Sequence, residues 1–318
     1  MMRVAILDTV HPVLKTRLIE NGFECDEHLM LSREEILQGQ LKGIQGIVLR
    51  SRLVIDDKLL YAMPQLKWIA RSGSGLENID LPSAKFRDIT VYNSPEGNSD
   101  AVGEHVLGMM LMIMHKLRSC DNSVHEKVWE REKHRGDELG SKTVGIIGYG
   151  VMGEALATKL RGIGCEIIAY DKYRSGFSDK FVTEVTEEEF FRRSDIVSVH
   201  LPFTDETNGL VDSTWLSRFS KPFIFVNSSR GSIVKTEDLL DALDTNQVTS
   251  IALDVLEFEG RSLEGLTSMD KTDSQKTLLR LLESPNVYLS PHVAGWTTES
   301  YFKLSNFLAD KILKDFSA

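Results

Sequence analysis

A chain of 318 residues can form two domains of ordinary size, and its 42% hydrophobic and 26% charged residues are typical of a globular protein, not a disordered or fibrous one. The formal net charge of −10, with no long basic run, argues against a nucleic-acid partner. Any anionic ligand must therefore be bound by a few local arginines or by backbone N–H groups. No apolar run approaches the roughly 18 residues of a membrane span, so no membrane partner is expected.

The three cysteines, Cys25, Cys120 and Cys165, are odd in number and widely spaced. This pattern fits neither a disulfide framework nor a metal site, so we expect no metal and a reducing compartment. The N-terminus leads directly into a strand-like run without the features of a signal peptide. The cytoplasm is the expected location.

The first hundred residues alternate short apolar runs with helical patterns. Helices are predicted at Pro12–Glu20 and at 32–41, the second with Ser32 as N-cap and Glu35 at the capping-box position. The predicted strands are RVAILD (3–8), GIVLR (46–50), LKWIAR (66–71) and ITVYN (89–93). Such alternation indicates an α/β fold with a parallel sheet covered on both faces.

A long apolar helix is predicted over 99–117, joining this series to a second one. Its methionines at 109, 110, 112 and 114 favour core or subunit-interface packing over a cofactor site. The strands of the second series are KTVGIIGYG (142–150), CEIIAYD (165–171), DIVSVHL (195–201), PFIFVNSS (222–229), TSIALDV (249–255) and NVYLS (286–290).

Two further segments complete the chain. The stretch 260–275 is polar and without clear periodicity, and we interpret it as an excursion between strands. A final helix is predicted at about 298–316 from apolar residues at helical spacing, among them Phe302, Phe307, Leu308 and Ile312. We expect this helix to pack on the first domain.

The most specific motif is the glycine turn VGIIGYGVMGEALATKL. Gly148, Gly150 and Gly153 fit G-x-G-x-x-G directly after a strand and before a helix, which predicts that a dinucleotide pyrophosphate binds at the helix N-terminus. Asp171 ends the next strand 23 positions later (171 − 148), where a carboxylate can bind a ribose 2′-hydroxyl. A turn without ligand is the alternative. The carboxylate favours NAD over NADP, although Lys172 and Arg174 lie close by.

Three polar residues follow strands of the second series: Arg230, Glu259 and His292. Histidine can exchange the hydroxyl proton when hydride passes between an alcohol and a nicotinamide ring, and a nearby carboxylate favours its protonated form. Arginine offers a planar fork for a substrate carboxylate. Singly, each could be a surface charge or a loop residue. Together, beside a dinucleotide turn, they favour catalysis.

At this point the sequence resembles the D-isomer-specific 2-hydroxyacid dehydrogenases over nearly its whole length. The motifs that carry the resemblance are SGSGLENID (72–80), AVGEHVLGMML (101–111), KTVGIIGYGVMG, HLPFTDETNGLV (200–211), VNSSRG, ALDVLEFE and SPHVAGWT. Arg230 and Glu259 also stand 29 positions apart (259 − 230), as in the family.

The resemblance implies two doubly wound parallel-sheet domains. A Rossmann NAD-binding domain (99–293) is expected as an insertion in a flavodoxin-like substrate domain (1–98 and 294–318), with catalysis in the cleft between them and a homodimer formed through the nucleotide domain. Two departures are noted: Gly260 replaces the family's usual proline, and Trp296 is expected near the cleft, where it narrows the pocket or packs on the hinge.

The resemblance also assigns roles. Arg230 is implied as the substrate-binding arginine, His292 as the acid/base and Glu259 as its partner. Cofactor contacts are implied for Gly148, Gly150, Val151, Met152, Gly153, Asp171, His200, Pro202, Thr207, Ser228, Ser229, Arg230, Asp254, His292 and Gly295. The loop around Ser74 and Gly75 is implied to offer N–H groups to the substrate carboxylate.

The substrate is predicted from Arg50 and Ser51, which resemble the phosphate-contacting segment of D-3-phosphoglycerate dehydrogenases. With Arg71, they would supply the cations that a phosphomonoester needs. The alternative is that Arg50 and Arg52 are exposed charges at a strand end. D-3-phosphoglycerate is thus the leading substrate, with glyoxylate or hydroxypyruvate reduction as the alternative. An NAD-sensing protein similar to transcriptional co-repressors is the alternative of another class. No regulatory domain, and hence no serine control through one, is expected.

Overall fold

The computed structural model describes residues 1–259 and 272–316, which form parallel sheets with helices on their faces. The strands are β1 (Met2–Ile6), β2 (Phe23–Glu27), β3 (Gly46–Leu49), β4 (Trp68–Arg71), β5 (Thr90–Tyr92), β6 (Thr143–Ile147), β7 (Glu166–Tyr170), β8 (Val182–Glu184), β9 (Ile196–Val199), β10 (Phe223–Asn227), β11 (Val248–Leu253) and β12 (Val287–Leu289). The helices are α1 (Pro12–Glu20), α2 (Arg33–Leu37), α3 (Asp57–Ala62), α4 (Leu81–Phe86), α5 (Ser99–Met114), α6 (Leu117–His125), α7 (Val151–Leu160), α8 (Glu187–Arg193), α9 (Ser213–Leu216), α10 (Thr236–Asp244), α11 (Thr272–Glu283) and α12 (Thr298–Phe316).

The chain divides into two units, the first containing Met1–Ser99 and the segment from Trp296. Its five strands are all parallel, in the order β2-β1-β3-β4-β5. Successive residues of β1 alternate between two apolar cores, because side chains along a strand point to opposite faces. Val4 and Ile6 pack with α1 and α12 on one face, and Ala5 packs with α2 and α3 on the other. Burial on both faces explains why these strands are almost wholly apolar.

The second unit contains Asp100–Glu259 and the segment ending at Gly295. Its seven parallel strands have the order β12-β11-β10-β9-β6-β7-β8. The order reverses between β6 and β9, and ligands of open α/β sheets bind outside the carboxyl ends of the strands at such a point. One face of the sheet packs against α5 and α7, and the other against α8 and α10. The predicted fold class of two doubly wound parallel sheets is confirmed.

The predicted methionine-rich helix over 99–117 is interrupted. Helix α5 ends at Met114, and Lys116 adopts φ +53 before α6 begins. The backbone of a later loop lies against this end, since Asp137 N donates to Met114 O at 2.9 Å. The carbonyl at the end of α5 is therefore bound by that loop rather than by a further helical turn. Of the four methionines predicted to pack in a core or subunit interface, Met109, Met110 and Met114 are buried in the core, and Met112 packs against it partly buried.

The final helix α12 spans the predicted range and packs on the first sheet through Leu308 and Ile312, which confirms its expected location. Phe302 and Phe307 lie on its exposed side, with 43% and 36% of their surface accessible, so the predicted apolar face was too wide. Of the predicted excursion 260–275, residues 260–271 lie outside the described residues, and α11 begins at Thr272. None of the described helices combines the length and apolarity that a membrane crossing requires.

Candidate active site

The glycine turn lies between β6 and α7, at the point where the strand order reverses. Gly148 has φ +87, and a Cβ placed there would lie 2.5 Å from the carbonyl oxygen of His200, so only glycine fits. A Cβ on Gly153 would lie 2.3 Å from the carbonyl oxygen of Gly148, which explains the close packing of α7 on the turn. Gly150 is the N-cap of α7, and a Cβ there would meet nothing within 4 Å. The turn is therefore closely packed against protein atoms at Gly148 and Gly153, whereas the space beside Gly150 is open.

The N-terminus of α7 has the properties of an anion site. Gly150 has no side chain and makes no side-chain cap hydrogen bond, so the cap residue itself binds none of the N–H groups of the first turn. Val151 and Met152 supply the first two N–H groups of the helix. An anion at this position would be favoured by both the N–H groups and the helix dipole.

Asp171 follows β7 and already binds three backbone N–H groups. Its carboxylate accepts from Tyr149 at 2.8 Å, Tyr173 at 2.9 Å and Arg174 at 3.0 Å. The carboxylate is thereby held beside the glycine turn. Of the two cations nearby, Lys172 pairs with Glu206, and Arg174 pairs with Glu154 and donates to the Tyr149 carbonyl at 2.7 Å. Both positive charges are thus compensated by carboxylates.

The loop after β9 carries His200, Pro202 and Thr207. Burial lowers the pKa of His200 to about 4, so its ring is neutral at pH 7, and Nε2 lies 2.8 Å from the Ser198 hydroxyl. The hydroxyl of Thr207 donates to the Pro202 carbonyl at 2.7 Å and accepts from the Thr204 N–H at 2.8 Å. These bonds fix the shape of the loop beside the glycine turn.

The turn after β10 is shaped by Asn227, which is fully buried. Its Oδ1 accepts from the Ser229 N–H at 2.9 Å and the Ser229 hydroxyl at 2.7 Å, and its Nδ2 donates to the Arg230 carbonyl at 3.0 Å. The guanidinium of Arg230 donates through Nη1 to the Ser229 carbonyl at 2.6 Å. By contrast, the buried hydroxyl of Ser228 has no hydrogen-bond partner within the described part of the chain.

The Arg230 turn packs directly on the loop that carries Glu259. A Cβ on Gly231 would lie 2.0 Å from the backbone of Leu256, so the two loops can meet only because this residue is glycine. Glu259 then turns back on its own loop, where one carboxylate oxygen accepts from the Leu256 N–H at 2.5 Å. The strands β10, β11 and β12 are hydrogen-bonded neighbours, so the loops that follow them share one edge of the sheet.

The other carboxylate oxygen of Glu259 binds His292. The distance from Oε2 to the imidazole Nδ1 is 2.7 Å, and the two side chains are only 17% and 22% exposed. A carboxylate can only accept, so Nδ1 carries the hydrogen and Nε2 is the ring nitrogen left for a ligand. The predicted glutamate–histidine pairing is therefore present as a short, shielded hydrogen bond.

Asp254 and Gly295 flank the histidine loop. Asp254 follows β11, is 1% exposed and accepts from the N–H groups of Val293 and Ala294 at 2.9 and 2.8 Å. Gly295 comes directly after Ala294. Within the described residues, no group of three or more His, Cys, Asp or Glu side chains has a metal-binding arrangement.

The predicted substrate residues of the first unit follow β3 and β4. The Arg50 N–H donates to Asp8 at 2.6 Å, and its guanidinium lies over the Trp296 ring, 4.1 Å from the centroid. Arg52 is bound by Asp8 at 2.9 Å and by the carbonyls of Leu7 and Leu31. Arg52 is exposed, as the alternative of strand-end charges expects, but its guanidinium is bound by these groups of the first unit.

The glycine loop of the first unit is fixed by asparagines. The Ser74 hydroxyl donates to Asn98 Oδ1 at 2.6 Å, and the Ser74 carbonyl accepts from Asn93 at 2.6 Å. Asn78 lies just after Gly75 and donates to the carbonyls of Arg50 and Leu53. Asn78 therefore joins this loop to the segment that contains Ser51.

Sequence reasoning missed the residues that shape these loops, notably Asn227, Asn78, and the pair of His105 and Ser290, whose Nε2 and Oγ atoms lie 2.9 Å apart. The available signal was position: Asn227 ends a buried strand, where an amide can bind the backbone of the following turn. His105 lies in α5 and gave no such signal.

Comparisons with known proteins place the chain in a family. The family model described as "D-isomer specific 2-hydroxyacid dehydrogenase, NAD binding domain" matches residues 107–294. The chain belongs to this family of NAD-dependent oxidoreductases, and the matched segment is its NAD-binding domain.

Curated relatives are named for one activity. The D-3-phosphoglycerate dehydrogenase of Archaeoglobus fulgidus is 32% identical over 314 residues, covering 98% of this chain and 57% of the relative. The enzyme of the same name from Homo sapiens is 30% identical over 309 residues, with coverages of 96% and 55%. The chain thus spans about half the length of the curated relatives it matches.

Solved structures share the fold. D-2-hydroxyisocaproate dehydrogenase matches with a TM-score of 0.83 at 24% identity, covering 99% of this chain and 96% of that chain. D-lactate dehydrogenase from Aquifex aeolicus, complexed with NAD and lactic acid, has a TM-score of 0.81 at 24% identity, with coverages of 99% and 95%. At this identity the likeness shows the fold alone.

Proposed function

We propose that the protein is an NAD-dependent D-2-hydroxyacid dehydrogenase. The observation that carries the proposal is the 2.7 Å hydrogen bond between Glu259 and His292 at the carboxyl ends of β11 and β12. An acid/base group held by a carboxylate is what proton transfer to a substrate oxygen requires. The family membership and the dinucleotide turn support the same activity.

The residues of the second unit fit NAD. The uncapped N-terminus of α7 suits the pyrophosphate, and the Asp171 carboxylate suits a ribose hydroxyl. The buried hydroxyl of Ser228, which has no partner among the described residues, offers a further polar contact. A 2′-phosphate would meet the Asp171 charge, while Lys172 and Arg174 are engaged by other carboxylates. NAD is therefore favoured over NADP. When bound, the nicotinamide supplies or accepts the hydride.

His292 is proposed to move the proton. In the direction of reduction, Nε2–H donates to the carbonyl oxygen of the 2-keto acid as the hydroxyl forms, and in oxidation Nε2 accepts it. Glu259 holds Nδ1–H, which fixes the tautomer and stabilises the imidazolium. The Leu256 N–H on the opposite oxygen keeps the carboxylate directed at the ring.

Arg230 is proposed to bind the substrate carboxylate and to polarise its carbonyl group. The Asn227 bonds fix the backbone of the turn, and the contact between Gly231 and Leu256 keeps it against the Glu259 loop. A guanidinium can bind a carboxylate with two parallel hydrogen bonds, which also orients the keto group.

D-3-phosphoglycerate is proposed as the first substrate to test. The names of the curated relatives support it, and so does the Arg50 guanidinium, a cation that lies over the Trp296 ring. In the first unit, Arg50 and Ser51 are proposed to bind the phosphate, and Ser74 and Gly75 the carboxylate.

An unphosphorylated keto acid, glyoxylate or hydroxypyruvate, is the second candidate. It is favoured by the fact that the guanidinium of Arg52 is bound by Asp8 and by the carbonyls of Leu7 and Leu31. Less positive charge is then offered to a phosphate than the sequence alone suggests.

The test is NADH formation by the purified protein with D-3-phosphoglycerate, D-glycerate and D-lactate, and NADH consumption with glyoxylate and hydroxypyruvate. If Arg50 binds the phosphate, Arg50→Gln should raise KM for D-3-phosphoglycerate at least about tenfold, because an ion pair to phosphate is worth more than about 1.4 kcal/mol. The same variant should leave KM for D-glycerate nearly unchanged. Arg33→Gln, which breaks a surface pair with Asp56, is the matched control. Equal effects on both substrates would reject the phosphate role. NAD binding without any turnover would favour an NAD-sensing protein.

A further inference from the structure

The loop that carries His292 has an unusual backbone. His292 adopts φ +55, in the left-handed region that residues with a Cβ rarely occupy. Its N–H donates to the Asp254 carbonyl at 2.8 Å. The next two N–H groups, of Val293 and Ala294, donate to the Asp254 side chain. Three successive backbone donors of the loop are thus bound by one residue, which holds the left-handed conformation in place.

Asp254 can do this only if its buried charge is satisfied. The residue is 1% exposed, and a buried carboxylate without enough donors is strongly disfavoured. Besides the two N–H groups, it accepts from the Ser290 hydroxyl at 2.5 Å, through the same Oδ1 that binds Val293.

The Ser290 hydroxyl is in turn oriented by His105. Nε2 of His105 lies 2.9 Å from Ser290 Oγ and 3.7 Å from Asp254 Oδ1. A hydroxyl has one hydrogen, and Ser290 gives it to Asp254, so the His105 contact must be an Nε2–H donated to Ser290. The chain of donors therefore runs from His105 to Ser290 to Asp254.

We propose that His105 and Ser290 are positioning residues for His292, acting through Asp254. They touch neither ring nitrogen of His292. They fix the direction of the Asp254 carboxylate, and the carboxylate fixes the backbone of the His292 loop. The loop backbone in turn determines the direction in which Nε2 of the imidazole points. The catalytic part of this inference rests on the proposed dehydrogenase activity, whereas the structural coupling between His105 and His292 does not.

The kinetic test compares His105→Leu with His105→Gln. Leucine removes the donor, whereas the glutamine amide can still donate to Ser290. We expect kcat to fall about tenfold in His105→Leu, because about one hydrogen bond that positions His292 is lost. In His105→Gln, kcat should be within about threefold of the native value. Ser290→Ala should match His105→Leu, and the double variant should be no slower than either single one, because both act in one chain. His125→Leu, at a site whose side chain is 77% exposed, is the control and should leave kcat unchanged.

A second readout does not need turnover. The His292 Nδ1–H that is bound to Glu259 should give a proton resonance in NMR that broadens or shifts in His105→Leu and returns in His105→Gln. If the native protein turns over no 2-hydroxy acid but the resonance responds in this way, the proposed function fails and the positioning role stands. If the resonance and kcat are both unchanged in His105→Leu, the positioning role is refuted. Equal loss of melting temperature and activity in His105→Leu and His105→Gln would refute it as well, because a purely structural defect would explain both.

Discussion

Replacing Glu259 by glutamine tests the proposed acid/base pair most directly. The change keeps the size of the side chain but removes the charge that faces His292 Nδ1 at 2.7 Å. Both side chains are less than a quarter exposed, so the interaction is only modestly screened by solvent. A hydrogen bond to a charged group is worth about 1.5–3 kcal/mol, which corresponds to a fall in kcat of about 10- to 100-fold if it is lost at the transition state.

The fall in kcat should be measured as a pH profile, because His292 exchanges a proton in the proposed step. The assay is NADH consumption with a saturating keto acid between pH 5 and pH 9.

The matched control for this experiment is Glu257→Gln. Glu257 lies on the same loop but accepts from the Thr236 N–H at 2.9 Å, a bond that glutamine can preserve. Its profile should coincide with that of the native protein. A Glu259→Gln profile that coincides with the native one would refute the role assigned to the pair.

Three further predictions concern the second unit. His292→Ala should lower kcat by at least about a thousandfold while calorimetry shows NAD affinity changed by less than about threefold, because the ring serves the substrate. Gly148→Ala should raise the NAD Kd at least about tenfold, because Gly148 has φ +87 and a Cβ there would lie 2.5 Å from the His200 carbonyl oxygen. The control Gly162→Ala, where a Cβ would meet nothing within 4 Å, should leave the NAD Kd unchanged. Burial lowers the pKa of His200 to about 4, so between pH 7 and pH 5 only the unfolded state binds a proton at this residue. The free energy of unfolding of the native protein should therefore fall by about 2 kcal/mol as the pH is lowered from 7 to 5. Thermal unfolding should show this loss in the native protein but not in His200→Gln.

The buried strands could be predicted from sequence, and so could the edge strands β5 and β12, whereas the edge strands β2 and β8 could not. Strands β3 and β9 are buried along their whole length, so their apolar runs are unmistakable. Strand β2 lies at the edge of its sheet and contains Glu24, Asp26 and Glu27, and β8 is an edge strand of three residues. Both were missed because an edge strand with polar residues lacks the pattern that identifies a buried one. Capping was more reliable: the Ser32–Glu35 capping box is present, although α2 ends at Leu37 rather than at 41.

The candidate site was predictable where chemistry dictates the residue type. Glu259 and His292 were paired from their positions after strands and from the needs of proton transfer, and the structure brings them together. The role of Arg52 could not be foreseen, because its partners Asp8, Leu7 and Leu31 come from other parts of the first unit. The homodimer and the cytoplasmic location stay predictions.

One arrangement recurs at the strand ends and explains why aspartates there are hard to interpret from sequence. Asp8 after β1 binds the N–H of Arg50, in the loop after β3; Asp171 after β7 binds the N–H of Tyr149, in the loop after β6; and Asp254 after β11 binds N–H groups in the loop after β12. In each case the two strands are parallel neighbours, so their loops leave the sheet at the same edge with N–H groups that the ladder no longer satisfies. A carboxylate directly after one strand can accept these hydrogens and fix the adjoining loop.

This arrangement changes what Asp171 can be expected to do. Its position predicts a contact with the cofactor ribose, and its bonds to Tyr149, Tyr173 and Arg174 show that it also maintains the glycine turn. Asp171→Asn would therefore weaken NAD binding through both effects, and a loss of affinity alone would not reveal which one dominates. The ratio of NAD to NADP affinity separates them, because distortion of the turn weakens both cofactors equally, whereas loss of the charge that repels a 2′-phosphate favours NADP.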